Sequence, residues 1–272
     1  MQIDETGLKR LQSVCLEFIL EIDRVCRKNN IEYTLEGGTL IGAVREHGFL
    51  KWDDDADISM TRDAYNRFVK ACEKDLNKEK FFLQDHNTDP GYPWGYSKLR
   101  MNGTKMVLTG QEGFKMHDGM YIDIFVYDNV PDNFILRRLH FAAIYCIRKC
   151  QYSVEGKKLA KSAPKRLWFA IIDKIPKKWL FKWLDGLAKS CNKKRTKLMR
   201  HYTFPYFRKE CLFGLPTHCF EEYTDAVFEG HKVRISKDYD TYLTLKYGDY
   251  MTPPPETELK FLNVSEIKFP DD

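Results

Sequence analysis

No run in this 272-residue chain reaches the about 18 consecutive apolar residues that a membrane-spanning helix needs. Its N-terminus, MQIDETGLKR, has no apolar signal-peptide core. None of the eight cysteines stands in a CxxC pair, and Cys15 and Cys26 fall at apolar positions of a helical pattern. A disulfide framework is therefore excluded, and the thiols read as reduced and buried, in a cytoplasmic protein. A zinc site built from Cys211, His218 and Cys219 is the weaker reading. Internal repeats and low-complexity tracts are also missing. Net charge is small, +5, and by itself selects no partner.

What the chain has is a core and an uneven charge. Hydrophobic residues make up 43% and aromatics 14%, enough for a globular body. Residues 137–200 hold 19 Lys/Arg against three acids, Glu155, Asp173 and Asp185. The rest holds 25 basic against 36 acidic residues. An acidic body with a basic middle has two faces or two jobs. The division expected is a core over 1–136, a basic helical insertion over 137–205 and a segment over 206–272 that completes the core.

Periodicity predicts a helix over 5–29, with Leu8, Leu11, Cys15, Phe18, Ile19, Ile22 and Val25 at helical spacing. Ile31, Tyr33 and Leu35 alternate, which predicts a strand ending at Gly37-Gly38, followed by a short helix closed by Gly48. DADISM reads as a strand, and Thr61 as the cap of the next helix. FFLQDH, YSKLRM and YIDIFVYD read as further strands. The order implies an α/β (α+β) fold with a mixed sheet. Residues 134–200 read as helices broken at Pro164 and Pro176. One of them is expected to carry Trp179, Leu180, Trp183, Leu184 and Leu187 on one face.

GFLKWDDDADISM, residues 48–60, crowds Asp53, Asp54, Asp55 and Asp57 together. The spacing opens like a calcium-binding EF-hand loop. That loop needs Gly at its sixth position and Glu at its twelfth, where this chain has Ile58 and Ala64. A solvated acidic turn is the bland reading. Against it, side chains on a strand alternate, so Asp55, Asp57 and Ser59 share one face and Ala56, Ile58 and Met60 the other. Adjacent carboxylates on a half-buried strand suit a hard divalent cation, whose charge removes their repulsion. Gly37-Gly38-Thr39 precedes the run. Glycines allow close approach of a phosphate, and a helix N-terminus offers free N–H groups. The spacing is neither a Walker loop nor a dinucleotide fingerprint. Asp123 lies in the apolar strand YIDIFVYD, where a carboxylate must be metal-bound or paired with Arg or Lys.

These elements together resemble the nucleotidyltransferase fold, and GGTLIGAVREHGFLKWDDDADISM resembles the signature of the LicD family, phosphorylcholine transferases related to fukutin and fukutin-related protein. YSKLRMNGT, YIDIFVYD and YLTLKYGDYMTPPPE are similar to later motifs of that family, so the likeness runs from about 33 to 256. Val126-Tyr127 stands where Pro-Leu is usual, and 137–205 carries no matching motif. The resemblance implies metal-dependent transfer of phosphorylcholine, or a similar phospho-alcohol, from a CDP-activated donor such as CDP-choline, with release of CMP. The acceptor is a hydroxyl of a cell-surface glycan: teichoic acid, lipopolysaccharide or capsule. The cofactor implied is Mg²⁺ or Mn²⁺, and nucleic acid is not an expected partner.

On this reading Asp55 and Asp57 bind the metal, and Asp123 either binds a second metal or takes the acceptor's proton. Gly37, Gly38 and Thr39 cradle the donor phosphates. Arg45, Lys98 and Arg100 are the cationic partners, although Arg45 has the alternative of pairing with an Asp of the acidic run, and Lys98 and Arg100 that of being solvated. Asp53 and Asp54 support the strand's start. Tyr92, Trp94 and Tyr96 are candidate walls for a trimethylammonium group. Tyr247 and Asp249 shape the acceptor side or pack their loop. The basic middle either lies peripherally on an anionic membrane, where a lipid-linked acceptor would be found, or is a solvated insertion or lid. Competing readings are a D-x-D glycosyltransferase using a nucleotide-sugar, a ribitol- or glycerol-phosphate transferase, a nucleotide transferase, and a non-catalytic binding protein.

Overall fold

The computed structural model describes residues 4–206, 208–255, 257 and 261–272. Helix α1 (Glu5–Lys28) starts where the Asp4 carboxylate accepts the Gly7 N–H at 2.7 Å. It buries Leu11, Val14, Phe18, Ile22 and Val25 against the sheet. The chain leaves it through Asn30, at φ 52, a left-handed position that Asn tolerates.

The predicted strand before the glycines is only a two-residue β1 (Thr34–Leu35), because Gly37 takes φ 58 and opens helix α2 (Gly37–Arg45). β2 (Asp57–Thr61) follows, and Thr61 caps α3 (Arg62–Asp75) through its hydroxyl oxygen and the Ala64 N–H. β3 (Phe81–Gln84), β4 (Ser97–Met101) and β6 (Tyr121–Asn129) complete the main path, in the order β1-β2-β6-β4-β3. β2 and β6 run parallel and the other neighbours antiparallel, so the sheet is mixed as expected. The short β5 (Lys105–Leu108) has no counterpart in the sequence reading.

Four helices follow: α4 (Phe134–Gln151), α5 (Ser153–Leu159), α6 (Ala163–Ile172) and α7 (Lys177–Lys189). α4 and α7 share a small apolar core of Ile144, Ile147, Leu180 and Leu184, separate from the main one. α7 differs from the single apolar face expected of it. Leu180 and Leu184 are buried, whereas Trp179 and Trp183 are 52% and 46% exposed. A helix turns about 100° per residue, which carries Trp179 and Trp183 away from the α4 contact. Gly95 lets α7 lie close on the core, since a Cβ there would stand 2.2 Å from Leu184 Cδ2.

The chain then returns to the core. β7 (Leu198–Arg200), inside the expected 137–205 segment, pairs with β6 and with β8 (Leu215–Pro216). The hairpin β9 (Tyr223–Phe228) and β10 (His231–Ser236) bonds through the Ser236 N–H to Thr34 Oγ1. α8 (Tyr239–Tyr247) packs beside α2, and β11 (Val264–Lys268) pairs with β5. Glu256, which closes the C-terminal motif, lies outside the described residues. No helix among the described residues is long and apolar enough to cross a membrane.

Candidate active site

The strand register builds the site. Asp57 on β2 pairs with Asp123 on β6, Asp123 pairs with Lys98 on β4, and Lys98 pairs with Gln84 on β3. One row across the sheet therefore reads Asp57, Asp123, Lys98, Gln84. Neighbouring strands lie about 4.8 Å apart, so the two carboxylates are adjacent on one face. Lys98 Nζ forms a buried ion pair with Asp123 Oδ1 and stands 3.4 Å from the Tyr121 ring centroid. The pairing expected of Asp123 is thus made by Lys98, and neither Lys98 nor Arg100 is solvated.

Asp55 precedes β2 instead of lying in it. Burial, and then the nearby charges of Asp54 and Asp123, push its carboxyl up to about 7, against the pull of Lys98. Asp57 is raised too, by burial and then by Asp55 and Asp123. Asp53 is raised by burial and by Asp55 and Asp54, and its Oδ2 is buried with no hydrogen-bond donor. Asp54 has a different place: its Oδ2 accepts the Leu262 N–H and ties the C-terminal segment to the acidic loop. No donor among the described residues reaches the carboxylates of Asp55 or Asp57. Four crowded oxygen-donor side chains with one buried cation beside them are chemically suited to a hard divalent ion.

The N-terminus of α2 adjoins this row. A Cβ on Gly37 would lie 3.4 Å from both Asp57 Oδ2 and Tyr247 Oη, and one on Gly38 would lie 2.9 Å from Asp53 Oδ2. The positive φ at 37 favours glycine, and a Cβ at 38 would push the Asp53 carboxylate aside. Thr39 Oγ1 accepts the Asp57 N–H at 3.0 Å, so this side chain fixes the start of β2. Glu36, the cap residue, makes no side-chain cap, which leaves the first-turn N–H groups of α2 open.

Not every candidate cation is brought to the row. Arg45 sits at the far end of α2, paired with Glu46 at 2.9 Å and donating to the Tyr250 carbonyl at 3.1 Å. Its expected alternative, a pair with the acidic run, does not form. Arg100 lies two residues from Lys98 but is bound to Gln84 Oε1 and the Gly119 carbonyl. Tyr92, Trp94 and Tyr96 form one aromatic cluster, in which the Tyr92–Trp94 centroids are 5.0 Å apart, and Lys98 Nζ is 5.1 Å from the Tyr96 ring. Tyr247 reaches the site beside Gly37, whereas Asp249 is spent on Thr252, at 2.7 Å from its Oγ1.

Sequence reasoning missed the network behind the site. Glu36 is fully buried, and its carboxylate accepts from Tyr242 Oη and Lys246 Nζ and from Tyr127 Oη at 3.2 Å. Tyr206 Oη donates to Tyr127 at 3.0 Å. A Glu beside Gly-Gly was the only sign in the sequence, and it names no partner. His218, Cys219 and Asp238 are the one group with metal-ligand proximity found among the described residues, and Cys211 is not part of it. There His218 Nδ1 simply bonds Asp238 Oδ2 at 2.6 Å.

Two parallel carboxylate-bearing strands, a Gly-Gly helix start and a buried lysine thus meet at one place in an α/β fold. The family model described as LicD/FKTN/FKRP, nucleotidyltransferase domain matches residues 30–144. The chain is 30% identical to a lipopolysaccharide cholinephosphotransferase LicD of Haemophilus influenzae over 273 aligned positions, covering 95% of this chain and 97% of that protein. Two uncharacterized proteins, of Rickettsia prowazekii and Rickettsia typhi, are each 58% identical over 33 residues, 12% of this chain and 12% and 11% of theirs. The chain belongs to the LicD family, and its activity is that of a phosphotransferase.

Proposed function

We propose that the protein transfers phosphorylcholine, or a closely similar phospho-alcohol, from a CDP-activated donor to a hydroxyl of a cell-surface glycan, releasing CMP. The observation that carries this reading is the row Asp57–Asp123–Lys98 with Asp55 at its edge. Phosphotransfer asks mainly for alignment and for balanced charge on the phosphate oxygens. Asp55, Asp57 and Asp123 would hold Mg²⁺ or Mn²⁺: the carboxyls of Asp55 and Asp57 are raised by burial and mutual repulsion and meet no donor, which fits such an ion, and Asp123 stands beside Asp57 in the register. When bound, the ion neutralises the diphosphate and the charge that builds on the transferred phosphate.

The chain's own groups do the rest. Lys98 holds Asp123 in place from the next strand. Thr39 pins the Asp57 backbone, so both metal-side strands are fixed before the donor arrives. Gly37 and Gly38 keep the space next to Asp57 and Asp53 clear for the diphosphate, and the open N–H groups of α2 face an anion there. The acceptor's proton leaves to a carboxylate of the trio. The relative's printed name supports choline phosphate and a lipopolysaccharide acceptor over ribitol or glycerol phosphate. Incubation with CDP-choline, CDP-ribitol, CDP-glycerol and UDP-sugars separates the readings. CMP release from CDP-choline is expected, and UDP release without CMP would sink the proposal.

A second part of the reading concerns location. Of the sixteen large hydrophobic side chains exposed among the described residues, eleven lie between 134 and 183, in the basic segment or in the three residues just before it. Ile135, Leu139, Trp168, Ile171, Trp179 and Trp183 stand beside lysines and arginines, which favours peripheral docking on an anionic membrane. Flotation with phosphatidylglycerol vesicles at low salt tests it, and a protein that stays at the bottom of the gradient removes it.

A further inference from the structure

A wide groove lies outside the carboxylate site. It has a volume of about 1050 Å³ and runs between α3 and the 85–90 loop of the core on one side and α7 on the other. Its walls carry seven Lys/Arg and four carboxylates. Two of the carboxylates are spent: Asp128 on Arg62, at 2.6 Å, and Asp185 on Lys189, at 2.8 Å. Lys178, Lys182 and Lys70 have no carboxylate at ion-pair distance among the described residues, and Arg148 engages the Thr203 carbonyl and Tyr152, neither of them a carboxylate. The open charge of the groove is positive.

The lining is also aromatic. His86 stacks on Phe181 with centroids 4.1 Å apart and planes 11° from parallel, and Tyr96 and Tyr152 line the same space. Two buried polar atoms on the wall have no partner, Gln151 Nε2 and Tyr202 Oη. Gln151 is only 2% exposed, so its unsatisfied N–H group calls for a polar ligand or water in the groove. Flat aromatic faces, unpaired cations and unsatisfied hydrogen-bonding groups are what a charged sugar chain needs.

The groove leads to the chemistry. Tyr96 lines it, and Lys98 Nζ stands 5.1 Å from the same ring while bonding Asp123. We infer that this groove binds the acceptor, and that the stretch held there is an acidic oligosaccharide bearing phosphate or carboxylate groups. This rests on the reading of the protein as a transferase to glycans. It gives the basic insertion a role: α7 supplies one wall through Lys178, Phe181 and Lys182, while Leu180 and Leu184 anchor the helix and Trp179 and Trp183 point elsewhere.

Hydrogen–deuterium exchange on the full chain tests this, with deacylated lipopolysaccharide as probe, the same probe after removal of its phosphates, and a single-stranded RNA of similar charge. Slowed exchange over 85–90 and 177–189 is expected with the phosphorylated glycan and a much weaker effect with the dephosphorylated one. Lys178→Glu with Lys182→Glu should raise the Kd for the phosphorylated probe at least tenfold and flatten its salt dependence. Both lysines are exposed, so far-UV dichroism should match the parent chain. Protection confined to other segments, equal binding of the dephosphorylated glycan, or protection of the groove by RNA alone would each overturn the assignment. Binding of CDP-choline to the same protein in Mg²⁺, read by calorimetry, reports the donor site. Its absence alongside groove protection would overturn the transferase reading, not the glycan groove.

Discussion

Lys98 and Asp123 face each other across the antiparallel β4–β6 pair, and their ion pair is, among the described residues, the single link between the carboxylate row and a buried cation. Burial pulls the Lys98 ammonium down to about 8, and Asp123 holds it up against that pull. Lys98→Met leaves Asp123 uncompensated next to Asp57 and Asp55. Breaking a buried pair from one side costs about 3–5 kcal/mol. The urea midpoint in EDTA should fall accordingly, and CMP release should drop about a hundredfold or more. A variant with a parental midpoint would show the pair to be irrelevant to the fold.

Asp57→Asn should act in opposite directions on stability and activity. Asp57, Asp55 and Asp123 repel one another, and burial adds to the cost. Replacing one with a neutral isostere should raise the metal-free melting temperature by a few degrees, on the order of 1 kcal/mol. Transfer should be lost. Calorimetry in EDTA beside a CMP-release assay checks both, and a variant less stable than the parent would contradict the repulsion argument.

Metal dependence has a readout free of turnover. A ligand at a hundredfold excess over its Kd stabilises by about 2.7 kcal/mol. Mg²⁺ or Mn²⁺ added to EDTA-treated protein should raise the melting temperature by several degrees. Asp55→Asn with Asp57→Asn should abolish that rise. An equal rise in the double variant would move the ion elsewhere.

The sequence was most legible where one local rule decided the outcome. Period 3.6 placed α1 within a residue of its observed ends, and Thr61 caps α3 as its position suggested. The apolar run around Asp123 is a strand of the expected extent, Tyr121–Asn129. Failures began where two rules competed. Alternation at Ile31, Tyr33 and Leu35 promised a longer strand, but the positive φ of Gly37 starts a helix there. Trp179 and Trp183 were expected on one face with Leu180, Leu184 and Leu187, but the contact with α4 covers only the leucine side of that face. Long-range pairing was invisible: β11 joins β5 across more than 150 residues, and residues 36, 127, 206, 242 and 246 meet in one network. The adjacency of Asp57 and Asp123 is a matter of register, and the two motifs alone did not fix it.

Asp75 gives a pH signature. Its carboxylate accepts from Lys28 Nζ at 2.6 Å and from Asn29 Nδ2 at 2.9 Å, joining the ends of α1 and α3. The Lys28 bond first, and then Asn29, hold its carboxyl below the usual range. A depressed carboxyl stabilises the fold above its unfolded pKa, about 3.9, and loses that effect as pH falls through the folded value. Asp75→Asn should therefore lower the melting temperature at pH 7, and the gap to the parent should close as pH falls through the lowered folded pKa. A gap constant with pH would mean that the hydrogen bonds, not the charge, carry the link.

Glu36 and Lys246 join the Gly-Gly helix start to the C-terminal segment. Glu36 is the residue before Gly37, and Lys246 precedes Tyr247, whose hydroxyl lies beside Gly37. The pair is buried, so each charge depends on the other. Lys246→Met strands the Glu36 carboxylate with only tyrosine hydroxyls and should cost about 3–5 kcal/mol. Glu36→Gln with Lys246→Met removes both charges and should recover most of that loss, a coupling that a double-mutant cycle measures. Function should not recover with stability. Without the ion pair α8 keeps the packing of Tyr242 and Leu243 but loses its tie to the residue before Gly37, and Tyr247 loses its fixed place against Gly37 and Asp57. The double variant should fold at near-parental urea midpoint yet show a raised KM for the CDP-linked donor. Additive single-variant losses, or parental kinetics in the double variant, would show that the pair does not tie the C-terminal motif to the site.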